Sequence, residues 1–194
     1  MDLCALDQVK MLAGIKADNT NEDDTLRAFI RATSLQAERY MNRKMETKSR
    51  TEYRDVTAGQ SLFSLDAYPI TTITSVHNDP NWGFASSTSV STTYITYEAD
   101  TGLLYIDKNV LVPGFQVLKV VYTGGLTTKT SYLYNEYRDL CFAIARQVVY
   151  LHKMKGKFGM DSSASNQGSV TFQVGQQFIP EVRGVLDMYR RPTW

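Results

Sequence analysis

Leu133, Tyr137, Leu140, Ile144, Val148 and Leu151 recur at steps of three and four. That spacing places one apolar stripe on a helix and predicts a single long helix over 133–155. Asn135 and Glu136 fall in its first turns, and His152, Lys153 and Lys155 crowd its end, as the helix dipole favours. Gly156 then stands where a left-handed residue is wanted to close it. Such a stripe needs a partner, and the segment 23–44 offers one, with Leu26, Phe29, Ile30, Thr33, Ala37, Tyr40 and Met41 on one face. Its start is acidic (Glu22, Asp23, Asp24) and its end basic (Arg39, Arg43, Lys44), and Asn21 is the expected N-cap. Leu6, Val9 and Leu12 predict a short helix ahead of both, stopped by Gly14.

Between the two long helices the period changes to two. Strands are expected at 51–56, 61–65, 71–77, 91–98, 103–107 and 116–122, all rich in Thr, Val, Ile and Tyr. Ala58-Gly59, Tyr68-Pro69, Asp79-Pro80, Asp100-Thr101-Gly102, Pro113-Gly114 and Gly124-Gly125 supply the turns. The polar stretch 78–93 reads as a projecting loop or hairpin that exposes Trp82 and Phe84. The tract 156–169 is Gly, Ser and Asn with little to bury, and is expected to be mobile. Val170, Phe172 and Val174 alternate like one arm of a strand pair, and Ile179-Pro180-Glu181 opens a last helix carrying Val182, Val185, Leu186 and Tyr189. The fold class is therefore α+β. A helical bundle built from the N- and C-terminal segments carries an inserted antiparallel β subdomain at 50–127. The whole forms one domain over 1–194, with a C-terminal helix and tail at 178–194.

Composition adds mainly exclusions. The chain is 43% hydrophobic with a formal net charge of +1, so any attraction to nucleic acid must be local. Cys4 and Cys141 read as two reduced thiols, and neither a signal peptide nor a membrane span is expected. There is no nucleophile elbow, no phosphate loop and no dinucleotide fingerprint, and Gly124-Gly125 reads as a turn. His77 and His152 lack metal-ligand spacing. Asp100 and Asp107 flank a strand and read as hairpin-turn residues before a catalytic pair. No enzyme, cofactor or metal site is expected. Two basic clusters stand out. Lys153, Lys155 and Lys157 are either a solvated helix end or a phosphate contact, and Arg190, Arg191 and Trp194 are types enriched at interfaces.

Both ends of the chain are similar to the head–tail connector proteins of tailed bacteriophages. The likeness rests on Leu6-Asp7-Gln8-Val9-Lys10 with Leu12 and Ile15, and on Asp23-Asp24 with Leu26, Phe29-Ile30, Ala32, Ala37-Glu38-Arg39-Tyr40 and Asn42-Arg43. The closing Ile179-Pro180-Glu181-Val182-Arg183, with Leu186, Tyr189-Arg190 and Pro192, resembles that family's last helix. Leu65-Asp66-Ala67-Tyr68-Pro69-Ile70, with Ile73 and Val76, resembles its strand-turn-strand element. Ala13-Gly14 and Thr33-Ser34 depart from it, and the β region is larger than in compact members. The resemblance implies a non-enzymatic virion protein at the head–tail junction, made in the host cytoplasm. It implies a homo-oligomeric ring, usually of twelve, that docks under the portal protein. Such a ring extends the channel for double-stranded DNA and offers a platform to tail or stopper proteins, away from any membrane. On that reading Phe178, Ile179, Arg183, Tyr189, Arg190, Arg191 and Trp194 bind the portal, and Lys153, Lys155 and Lys157 face the DNA. The rival expectations are a tail-side or receptor-facing β-rich binding module, using Trp82, Phe84 and the tyrosines as a ligand surface, and a small hydrolase using Asp100 or Asp107.

Overall fold

The computed structural model describes residues 1–155, 162–165, 168–171 and 178–191. They form an α+β protein in which both chain ends build a helical bundle and the middle builds antiparallel sheets. The chain divides into two compact units, Met1–Met41 with Lys129–Trp194, and Asn42–Thr128.

In the helical unit α1 spans Leu6–Ala13 and stops where expected, at Gly14 with φ 72°. Its amide hands over to the Lys10 and Met11 carbonyls, a left-handed closure that glycine adopts without strain. Helix α2 spans Asp23–Tyr40 and buries Leu26, Ile30, Thr33, Ser34, Ala37 and Glu38. It ends four residues short of the expected 44, and Asn42 follows in the left-handed region at φ 49°. Its N-cap is Glu22 rather than Asn21, whose amide instead bonds the Asn19 side chain at 3.1 Å. Ser34 is a poor helix former, but its Oγ accepts the Leu3 amide at 2.9 Å and so ties the N-terminal segment to α2.

The long helix expected at 133–155 is two helices. Helix α3 (Thr130–Glu136) and α4 (Arg138–Met154) meet at Tyr137, which has φ −126° and ψ 56°. The Tyr137 amide still reaches the Leu133 carbonyl at 2.8 Å and the Cys141 amide reaches the Tyr137 carbonyl at 3.1 Å, so the ladder is bent rather than abandoned. Thr130, Ser131, Tyr132, Tyr134 and Asn135 are weak helix formers, which makes this turn the cheap place to bend. The stripe survives: Leu133, Leu140, Ile144 and Val148 are all fully buried. Helix α4 packs on α1, α2 and α5 (Pro180–Met188). Lys155 closes α4 in the right-handed region, and the expected cap Gly156 lies outside the described residues. Within the tract read as mobile, β7 (Ser162–Ser165) pairs antiparallel with β8 (Gly168–Thr171), and the rest lies outside the described residues, as do Phe172 and Val174.

The β unit holds two three-stranded sheets. One has the order β1-β6-β3 (Lys48–Val56, Gly114–Gly124, Ile70–Asn78) and the other β2-β5-β4 (Leu62–Ser64, Leu103–Ile106, Ile95–Glu98). All pairings are antiparallel. Alternation puts Val76, Leu118, Val120 and Tyr122 of the first sheet and Phe63, Leu104 and Ile106 of the second into one apolar core. The period-two pattern fits a small sandwich or a barrel, and two separate sheets over one core make it a sandwich. The stretch 91–98 differs in part, because Thr92–Tyr94 is a 3₁₀ turn capped by Ser91 and only Ile95–Glu98 is strand. The stretch 78–93 turns back on itself, the hairpin-like alternative to a projecting loop, with an antiparallel bridge between His77 and Ser89. It returns along β3, where the Val90 amide reaches the Val76 carbonyl at 2.8 Å.

Candidate assembly surfaces

Helix α5 begins with Pro180 at its first turn, the position where proline costs least. Its stripe is spent inside its own subunit: Phe178, Val182 and Leu186 are buried. Tyr40 of α2 is the hub of this docking. Its ring meets Phe178 edge-on at 5.5 Å, its hydroxyl donates to Asp187 at 2.6 Å, and Arg183 Nε donates to that hydroxyl at 3.0 Å. The Ile179 amide bonds Gln147 Oε1 at 3.0 Å, and the Arg191 amide bonds the Met41 carbonyl at 2.9 Å. Of the residues expected to meet a portal, Phe178 is therefore a core residue. Its ring is already covered inside the subunit, edge-on against Tyr40. Arg183 and Arg190 are exposed, Ile179, Tyr189 and Arg191 are half-buried, and Trp194 lies outside the described residues.

Beside this polar face runs an apolar groove of ≈ 380 Å³, lined by Met11 and Leu12 of α1, Tyr134 of α3, and Arg138, Asp139 and Phe142 of α4. Met11 is 68% exposed and Phe142 51%. Tyr189 borders the groove, since its hydroxyl donates to both Asp139 oxygens at 2.8 and 3.0 Å. Periodicity alone misses this groove, although the signal is there: Met11 and Phe142 are large apolar residues off their helix stripes.

At the far end of α4 the basic cluster is not free. Glu22 accepts from Lys155 Nζ and pairs with His152 Nε2. The Lys155 contact, then that of His152, holds the Glu22 carboxyl below the usual range. Lys153 is exposed and Lys157 lies outside the described residues. His152 therefore bridges helix ends, whereas His77 in β3 sits 3.3 Å from the Ala85 carbonyl. Asp107 accepts from the Asn109 amide at 2.9 Å and caps the 3₁₀ turn Lys108–Val110. Asp100 lies in the β4–β5 hairpin turn as expected, whereas Asp107 stands between unpaired strands and caps a 3₁₀ turn instead.

The β unit also holds a part-buried polar cluster that no local sequence pattern signals. Tyr122 donates to Glu52, and its oxygen accepts the Ala67 amide at 2.9 Å. Glu52 also takes the Asp66 amide at 3.1 Å, while Arg54 bridges Glu52 to Asp66 at 2.6 Å. Burial raises the Glu52 carboxyl above the ordinary range and raises the Tyr122 phenol as well. Both carboxylates and the Tyr122 hydroxyl have structural partners, so the cluster fastens the 64–67 turn to β1 and β6. Among the described residues no three His, Cys, Asp or Glu side chains converge as a metal site, and no helix is long and apolar enough to cross a membrane.

Similar architecture occurs in particle necks. The chain aligns over 99% of its length, and 91% of the other chain, with a protein of the neck of an empty GTA particle computed with C6 symmetry (TM-score 0.64, 13% identity). It aligns over 100%, and 96% of the other chain, with one from the virion of a native gene transfer agent particle (TM-score 0.62, 15% identity). A third, from the neck of a native GTA particle computed with C12 symmetry, gives a TM-score of 0.57 at 12% identity, covering 100% of this chain and 96% of that one. At these identities the likeness is one of fold. A search of curated proteins finds no significant match. The family described as Head completion protein matches residues 2–192, which is nearly the whole chain. This protein belongs to the Head completion protein family.

Proposed function

We propose that this protein is a ring-forming head–tail connector subunit of a tailed-phage-like particle. The observation that carries the reading is the family match over residues 2–192, and the fold shared with neck proteins, one of them in a C12 neck, supports it. The ring docks under the portal, extends the DNA channel and presents a platform to tail or stopper proteins. It works by shape and assembly, without catalysis.

The portal-facing surface is the outer side of α5 and its tail, Arg183, Tyr189 and Arg190, continuing into the groove of Met11 and Phe142. That surface combines exposed apolar anchors with arginines, the composition of interface hot spots. Multivalency strengthens a weak contact when many copies engage one ring. Lys153, Lys155 and Lys157 form the DNA-facing group, with Lys155 already half-compensated by Glu22. Such a lining makes weak, sequence-independent phosphate contacts, which suits a conduit. Negative-stain imaging of the purified protein with and without portal-bearing heads tests the reading. Ring density under the portal is expected. Heads that fill their portal vertex equally well without this protein would overturn it.

A further inference from the structure

The outer face of the β1-β6-β3 sheet is not a solvated polar surface. Tyr53 of β1 stands there 45% exposed, opposite Lys119 of β6. The loop after β3 folds over the same face. Phe84 meets the Tyr53 ring at 5.5 Å, with Lys119 Nζ 5.4 Å from the Phe84 centroid. Trp82 (61% exposed) donates its indole N–H to the Phe115 carbonyl at 3.0 Å, and Phe115 is itself 67% exposed. The patch is held rigidly. The buried Asp79 carboxylate accepts the Asn81 and Phe84 amides, both at 2.8 Å, and Asp55 accepts the Gln116 amide at 2.8 Å. Trp82, Phe84 and Gln116 sit at φ 55°, 47° and 51°, in the left-handed region that bulky residues avoid. Three such residues in one patch mark a conformation kept for what it presents.

The opposite side of the sandwich carries a second apolar spot. On the outer face of β2-β5-β4, Leu62 and Tyr105 stand in register, 47% and 49% exposed. Thr96 continues the row, and Glu98 lies further along the same face. One rigid sandwich thus bears an aromatic patch with a cation on one face, and an apolar row with a carboxylate on the other. Two different patches on opposite faces are what a head-to-tail contact requires, and repetition of that contact closes a ring.

We propose that these two faces are the subunit contact of the ring. The Tyr53–Trp82–Phe84–Phe115 patch of one copy receives the Leu62–Tyr105 row of the next, with Lys119 toward Glu98. The proposal rests on the connector reading and deepens it by assigning the side faces. The smaller face sets the limit: the β2-β5-β4 strands have three or four residues, and three strands at about 4.8 Å spacing and about 13 Å length give roughly 200 Å². That is about a quarter of what each partner of a stable pair buries. The pairwise contact is therefore weak, and it holds when the ring closes or when another surface gathers the copies.

Cross-linking in assembled necks tests this. The full chain carrying Thr51→Cys and Thr96→Cys leaves the aromatic anchors intact, because both threonines are exposed on the two outer faces, and the native Cys4 and Cys141 are buried. With a flexible bis-maleimide, a ladder of linked subunits beyond the dimer is expected. Each single variant should give none. A second variant, Phe115→Glu, should weaken self-association at least tenfold in sedimentation while leaving the melting curve unchanged. Necks that contain the double variant yet yield no ladder overturn the proposal and leave the connector reading standing. Dimers from Thr51→Cys alone overturn it too, since they mean that the patch meets its own copy. Particles whose necks lack the protein altogether overturn the connector reading and the proposal together.

Discussion

Ile144→Ala on α4 is the sharpest test of the helical core. Ile144 is fully buried at mid-stripe, between Leu140 and Val148, on the helix that packs against α1, α2 and α5. The substitution deletes about three methylene equivalents at about 0.8 kcal/mol each, roughly 2.4 kcal/mol of lost transfer energy. With helices on several sides the space cannot collapse fully, and the residual cavity adds roughly 1 kcal/mol at about 24 cal/mol per Å³. The expected loss is about 3 kcal/mol. With a urea slope of about 2 kcal/mol per M, the midpoint followed by far-UV circular dichroism falls by about 1.5 M. Phe142→Ala serves as the control on the same helix. Its ring is 51% exposed in the groove, and it should cost less than about 1 kcal/mol. A loss below about 0.5 kcal/mol for Ile144→Ala, or equal losses for the two variants, would refute the assignment of the buried face.

Other outcomes follow from single sites. Because burial raises the Glu52 carboxyl, the folded state holds that proton more tightly than the unfolded chain. Stability should then decline as pH climbs from the ordinary glutamate value through the raised one, and Glu52→Gln should flatten that part of a midpoint-versus-pH curve. Gly125→Ala should cost roughly 1–3 kcal/mol in chemical denaturation, since φ is +130° and a Cβ would lie 2.5 Å from the Glu46 carbonyl carbon and oxygen. Replacing Lys153, Lys155 and Lys157 with Gln should leave ring assembly intact and change DNA retention in particles, and unchanged retention would return these lysines to a solvated role. Truncation after Tyr189 removes the Arg191–Met41 backbone bond and the Arg190 contact with the Tyr40 ring. The shortened protein should melt within a few degrees of the full chain yet fail to co-sediment with portal-bearing heads.

Local periodicity by itself determined the kind and order of most elements, though not the split of α3 from α4 or the β7–β8 pair. The stripes of α2 and α4, the six strand positions between them, the stop at Gly14 and the helix opened by Pro180 all follow from spacings within a few residues. Local dihedral and burial preferences act at that range, so they are legible in a single sequence. The tertiary structure decided what depends on distant partners. The order β1-β6-β3 brings β1 beside β6 across some sixty residues of chain, and no short-range pattern encodes that choice. The bend at Tyr137 is set where weak helix formers meet the Tyr189 ring, 6.2 Å away and far along the chain. Glu22 read as a helix-start acid, and only packing made it the partner of Lys155 and His152. Glu52, half-hidden in a strand's polar alternation, became a buried carboxyl because the Tyr122 hydroxyl, the Asp66 amide and Arg54 converge there. The interaction faces belong to the same class. Exposed apolar residues such as Met11, Phe142, Trp82 and Phe115 are visible in the sequence, but whether they gather into a surface is settled only when the chain has folded.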